Sequence, residues 1–396
     1  MAVSAPLDVA APDDAFVLSK NTVWKRFRKH RLAMIGAVVL LCLVLAAVFA
    51  PWIAGQDPNA IDQVHWQGNS LPPCFQDAHL CGGHRLGTDE TGRDLFARLV
   101  FGARISLTVG VAAVVMELII GTFLGAMAGY FRSVPFTYTS RVPHWANILN
   151  FIIGFAGVFL VAYLWPNLGN AMPHLPKPFG GIENDIGPLI LAIVVGWALS
   201  ALVRRLPVGE ERVVRTALPV DWLIMRITDV FLSIPLLPLM LTLTGIVAAM
   251  STKASLDFKV IVVIIGGLSW PGVARLVRAT YLSLREREYT EAARAVGNRD
   301  GRIIFRHLLP NAMAPLTVQA TLDVANVIVL ESALSFLGFG IQPPTASWGN
   351  MLANAESNLE TAWWAAVFPG LCILITVLAI NYIGDGLRDA LDPNMR

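Results

Sequence analysis

Glu288-Tyr-Thr-Glu-Ala-Ala-Arg-Ala-Val-Gly297, followed by Asn298-Arg-Asp-Gly-Arg-Ile-Ile-Phe-Arg-His-Leu-Leu-Pro310, is a polar, arginine-rich island between two apolar stretches. Glu288 to Val296 are mostly helix formers, Gly297 is a natural left-handed stop, and Asn298 or Asp300 can cap a second helix running to Pro310. The pattern predicts a short helix, a tight turn and another helix. Ala292, Ala293 and Ala295 are small enough to let a partner's backbone approach, and Glu291 offers an acceptor at the start of that small surface. Such an island is either a docking surface or an inconsequential loop. The ordered local signals favour docking, through Glu288, Tyr289, Thr290, Glu291, Ala292, Ala293, Ala295, Val296 and Gly297.

The rest of the chain says what the island sits in. Of 396 residues, 55% are hydrophobic and 15% charged, and the mean hydropathy is +0.59, outside the range of ordinary soluble domains. The chain belongs in a bilayer. A net charge of +2 gives no reason to expect a nucleic-acid partner, so the informative quantity is where the 30 Lys and Arg lie.

Apolar runs predict eight spans: 32–53, 105–130, 145–165, 186–203, 227–250, about 258–274, about 316–336 and 363–383. An even count puts both termini on one side, and the basic cluster Lys25, Arg26, Arg28, Lys29 and Arg31 puts that side in the cytoplasm. The cytoplasmic segments then carry most of the Lys and Arg, as the positive-inside rule requires. The first span follows a leader of about 31 residues, and Pro51 follows the small residue Ala50, so it reads as a retained anchor, not a cleaved signal. Residues 1–31 form a cytoplasmic tail, whose first 19 residues lack apolar periodicity; residues 54–103 form an outer loop rich in Pro and Gly; residues 104–396 form the core.

Several ordered motifs now carry a resemblance. Glu291-Ala292-Ala293, three residues, Gly297, nine residues and then a block ending in Leu309-Pro310 resembles the coupling loop of ABC-importer permeases, here at 285–310. Val23–Arg31, Gly87–Asp94, Asp221–Asp229, Leu334–Thr345 with Ser347-Trp-Gly-Asn350, and Gly384–Pro393 are similar to the dipeptide and oligopeptide group of that family. The resemblance runs from about Val23 to Pro393 and departs twice. His307 stands where an isoleucine is usual, and residues 131–219, with two of the spans, have no counterpart in the six-span pattern.

The resemblance implies an all-α integral membrane protein of type I ABC-importer architecture, about eight helices made of the six-span pattern plus an inserted helical hairpin at 131–219. It implies a multi-pass permease subunit of the bacterial plasma (inner) membrane forming half of a peptide pathway. Its implied partners are a homologous second permease, two cytoplasmic ATPases, an extracytoplasmic peptide-binding protein and membrane lipids. Glu288–Gly297 would fit a groove on one ATPase. No cofactor is expected on this chain: no Gly-Lys pair occurs in it, so there is no phosphate loop, and ATP and Mg would be held by the partner subunits.

Other features stay open. Thr88 or Asp89 can cap a short surface helix whose arginines reach lipid head groups. Gly121, Gly125 and Gly129, at four-residue spacing, predict close helix packing. Pro235, Pro238, Gly266, Gly267 and Pro271 are candidate pore-lining kinks, or kinks that serve packing alone. Cys74, His79, Cys81 and His84 leave a Cys74–Cys81 disulfide, free thiols and a metal as alternatives; an oxidising compartment and an unfamiliar spacing favour the disulfide and no metal. Cys42 and Cys372, mid-span, read as packing residues. Glu117, Asp229, Asp323 and Glu331 lie within or near spans; in a secondary, ion-coupled transporter such groups would be the relay, and otherwise they pair inside the bundle. Arg204, Arg205, Arg212 and Arg215 can meet anionic head groups.

Overall fold

In the computed structural model, the described residues are 20–66, 68, 70–77, 79–132, 136–140, 214–218, 220–250 and 258–391. Two compact units divide the chain, one made of Met1–Arg132 with Asp221–Arg396 and the other of Ser133–Val220. In the second unit the antiparallel strands β1 (Phe136–Ser140) and β2 (Val214–Leu218) pair, with Phe136 opposite Leu218. All other described elements are helical, in keeping with the all-α class expected. These two segments are rich in β-branched and aromatic residues, which suit a pleated pair. The expected spans 145–165 and 186–203, together with Arg204, Arg205 and Arg212, lie outside the described residues; Arg215 falls in β2.

The first unit is helical. α1 (Lys20–Lys29) stops at His30, whose ring accepts from the Ala33 amide at 3.1 Å and so caps α2 (Arg31–Val48). α3 (Ala50–Ala54) prolongs this first span until Gly55, in the left-handed region at φ 67°, ends it. α4 (Leu95–Tyr130) is one helix of 36 residues, α5 (Val220–Ser233) and α6 (Leu236–Met250) follow, and α7 (Phe258–Leu284) carries Pro271 inside it. α8 (Glu288–Ala295) is short. α9 (Asp300–Phe336), α10 (Trp348–Ala355) and α11 (Trp364–Leu391) complete the unit.

Five of these helices, α2, α4, α7, α9 and α11, are long and apolar enough to cross a membrane, and α5 with α6, bent by 88°, is apolar enough as a pair for a broken span or a re-entrant loop. Three expected boundaries move. α4 begins at Leu95, because Asp94, and not Thr88 or Asp89, accepts from the Ala97 amide at 2.7 Å. α7 runs ten residues past Ala274. The helix expected to stop at Pro310 instead continues into the span: Pro310 is the second residue after a wide-turned stretch, Ile303–Leu308, where its missing N–H costs little.

The bundle is held by close backbone contacts. A Cβ on Gly121 would stand 2.6 Å from Val273 Cβ, one on Gly125 2.5 Å from the Ala274 carbonyl oxygen, and one on Gly129 2.6 Å from Tyr281 Cβ. The glycine row of α4 is therefore a groove for α7, the packing that apolar helices use in lipid where water exclusion gives no drive. Gly36 does the same for α2 against Ala379 of α11. Trp348, fully buried, donates its indole N–H to the Leu99 carbonyl at 3.1 Å and pins α10 to α4. Ile35, Val38, Leu41 and Val48 point outward from α2, as a lipid-facing surface would.

Candidate functional site

α8 stands where three spans end. Glu288 and Glu291 occupy its first turn, where acidic side chains complement the exposed amides and the helix dipole. Its end is a full left-handed cap: the Gly297 amide donates to the Arg294 carbonyl at 2.9 Å, the Asn298 amide to the Ala293 carbonyl at 3.2 Å, and Gly297 has φ 82°. The expected second cap is absent: Arg299 holds that position and makes no side-chain cap bond.

The nine residues singled out from the sequence divide between two faces. Thr290 and Ala293 are buried, and the Thr290 hydroxyl donates to the Leu284 carbonyl at 3.0 Å. Tyr289 is half-buried, with a hydroxyl that has no protein partner. Glu288, Glu291, Ala292, Ala295, Val296 and Gly297 are exposed, Val296 by 83%. Ala293 is thus an anchor to the bundle, not part of a free small-residue surface, because the 3.6-residue period turns it inward with Thr290.

Side chains from the span ends hold this knob in place. The Tyr130 hydroxyl at the end of α4 donates to Asp300 at 2.6 Å, and the Arg294 guanidinium lies 5.4 Å over the Tyr130 ring. The Tyr281 hydroxyl of α7 donates to the Ile304 carbonyl at 3.2 Å. Further along the same ends, Arg278 makes a bidentate pair with Asp221 of α5, at 2.5 and 2.8 Å, and Arg275 meets Asp229 at 2.6 Å. These contacts join the ends of α4 and α7 and the start of α9 around α8. His307, in the wide-turned stretch, is half-buried and gives its carbonyl to the Asn311 amide at 2.6 Å.

The chain matches the family described as "Binding-protein-dependent transport system inner membrane component" over residues 215–396, and "N-terminal TM domain of oligopeptide transport permease C" over residues 21–73. A di/tripeptide transport system permease protein of Pseudomonas aeruginosa is 34% identical over 376 residues, covering 94% of this chain and 91% of that one. The chain belongs to the binding-protein-dependent ABC-importer permeases. A dipeptide transport system permease protein of Alkalihalophilus pseudofirmus is 32% identical over 390 residues, with 97% of this chain and 94% of the relative covered. Neither family description reaches residues 74–214, which include most of the segment 131–219. A methionine ABC transporter structure in inward-facing form aligns at 17% identity and TM-score 0.35, over 63% of this chain and 97% of that one. In this family ATP hydrolysis lies in separate subunits.

The candidate kinks separate in the permease. The chain bends at Ile234–Pro235, between α5 and α6. Pro238 lies in the first turn of α6, where a missing N–H is harmless. α7 passes unbroken through Pro271, and Gly266 is a packing contact, since a Cβ there would stand 2.6 Å from the Ala113 carbonyl oxygen of α4. Gly267 has only the Met116 methyl, 3.8 Å away, beside it. Pro235 and Pro271 line one cavity with Glu117 and Asp323. Glu331 lies apart from these two, fully buried and accepting from Ser106 at 3.2 Å and Ser335 at 2.8 Å.

At the other end of α4 the loop before Leu95 is held by a polar network. Cys74 and Cys81 form a disulfide with Cα atoms 4.9 Å apart. His84 is buried between Asp94, at 2.7 Å, and Asp62, at 3.1 Å, and His65 also reaches Asp62, at 2.8 Å. Burial pushes the Asp62 carboxyl up, but hydrogen bonds from the His65 amide and ring, the Val64 amide and His84 outweigh it and hold the group below the usual carboxylate range. Asp89 accepts from Thr91 and from the Arg93 amide and guanidinium. Arg98 is only 1% exposed and lies 3.5 Å from Asp89, so it serves the loop and does not reach lipid head groups. Among the described residues no cluster of three metal-binding side chains occurs.

Proposed function

We propose that this permease forms half of the translocation pathway of an ATP-driven importer for short peptides, coupled to a cytoplasmic ATPase subunit through the exposed face of α8. The observation that carries the coupling is geometric: Glu291, Ala292, Ala295 and Val296 are presented to solvent on a helix that bonds to the end of α7 through Thr290 and lies against the end of α4 through Arg294, while Tyr130 and Tyr281 tie those same ends to the start of α9. The peptide cargo rests on the relatives, whose names specify peptides, dipeptides and tripeptides.

The orientation follows from α4. At 1.5 Å per residue its 36 residues extend about 54 Å, more than a hydrocarbon layer of about 30 Å, so the disulfide loop at its start and α8 at its end lie on opposite sides. A disulfide belongs to the oxidising side. On this reading α8 and both termini are cytoplasmic, within reach of two ATPases that would bind ATP and Mg, and the loop is outside, facing a peptide-binding protein. Closure of the ATPases would draw α8 inward, and the tied ends of α4, α7 and α9 would turn the bundle from inward- to outward-facing.

The test is uptake of labelled trialanine into proteoliposomes holding the permease, its homologous partner and the two ATPases, with receptor outside. ATP inside and receptor outside should both be required. Uptake driven by an ion gradient without ATP would contradict the proposal and favour an ion-coupled transporter.

A further inference from the structure

Behind the break between α5 and α6 lies a cavity of about 510 Å³, open on one side and built from five different helices. Glu117 of α4 enters it although only 4% exposed, and its Oε2 is shut off from solvent without a hydrogen-bond partner. Asp323 of α9 lines the same cavity; its Oδ1 accepts from Gln319 at 2.9 Å, and its Oδ2 is likewise buried and unpartnered. Both carboxyls line the one cavity. Neither has a basic counter-ion among the described residues.

Two converging acceptors at membrane depth are costly unless something cationic joins them. A compact ammonium has three donors and no acceptor, which matches two free carboxylate oxygens with Gln319 and Asn326 beside them. A divalent cation needs six or more oxygens in a closed shell, and the other wall of the cavity is apolar, with Phe231, Leu236 and Leu268. Acid at one end and hydrocarbon at the other suits a molecule that carries an amine at its end and a variable side chain next to it. The site also sits where Pro235 opens the broken span and Pro271 removes a backbone donor from α7. Movements of α5 against α7 therefore change its width.

We propose that Glu117 and Asp323 form a binding site for the protonated α-amino group of the peptide in transit. This rests on the peptide-import reading above. The experiment uses the complete reconstituted importer and two probes, trialanine and N-acetyl-trialanine, each at receptor-saturating concentration. Glu117→Gln combined with Asp323→Asn should lower trialanine uptake tenfold or more and N-acetyl-trialanine uptake less than twofold, and Glu117→Asp should restore at least half of the difference for Glu117→Gln alone. The acetylated probe reports whether the variant is folded and assembled. Equal loss for both probes, or no loss for either, would overturn the site while leaving peptide import standing. Absence of trialanine uptake by the unaltered importer would overturn both.

Discussion

Gly297 is the residue on which the turn after α8 depends. Its φ of 82° lets the chain reverse after α8, so that the Asn298 amide satisfies the Ala293 carbonyl and Asp300 meets Tyr130. Nothing lies within 4 Å of the place a Cβ would occupy, so space does not decide the residue type; backbone conformation does. A left-handed L-residue costs about 1–2 kcal/mol, and a β-branched one more. We predict that Gly297→Val inserts normally and keeps its place in the complex but loses nearly all uptake and the stimulation of ATPase activity by loaded receptor. Gly297→Asn, which tolerates this region, should keep most of both. Wild-type transport by the valine variant would remove α8 from the coupling path.

Among the elements, α4 and α7 meet along a row of three glycines. Gly125→Val would drive a side chain into the Ala274 carbonyl, where Cβ alone would stand 2.5 Å away, and overpacking of this kind costs about 1–3 kcal/mol. Thermal unfolding of the purified permease should show a lower midpoint for Gly125→Val and little change for Gly301→Ala, whose Cβ would meet nothing within 4 Å. Equal midpoints would mean that the row is not a packing groove. The row was readable in the sequence because four-residue spacing is a local signal, and so were the α8 cap at Gly297 and the bend at Pro235. The continuity of two flanking helices with the spans was not: a surface helix capped by Thr88 or Asp89 and a helix ending at Pro310 were expected as separate pieces, whereas Leu95–Tyr130 and Asp300–Phe336 are each one helix that runs into a span. The inward turn of Ala293, the seating of His84 between Asp62 and Asp94 and the meeting of Glu117 with Asp323 depend on contacts between distant segments, which no local pattern records.

Across the whole molecule, one helix of 36 residues joins the ordered outer loop to the knob around α8. Asp94 caps its beginning and holds His84, while Tyr130 at its end holds Asp300, so each end is anchored to the surface that a partner would meet. Between them Glu117 faces the cavity behind the broken span. In the proposed coupling, a force applied at α8 would reach the cavity along this helix without any chemistry in the permease itself. The most direct test is photo-crosslinking in the assembled importer with p-benzoylphenylalanine in place of Ala295 on the exposed face of α8, compared with the same probe in place of Ile35 on the outward face of α2. The account predicts an adduct between the permease and a cytoplasmic ATPase subunit from position 295, with a yield that changes on ATP binding, and none from position 35. No ATPase adduct from position 295 in a complex that still transports would contradict it.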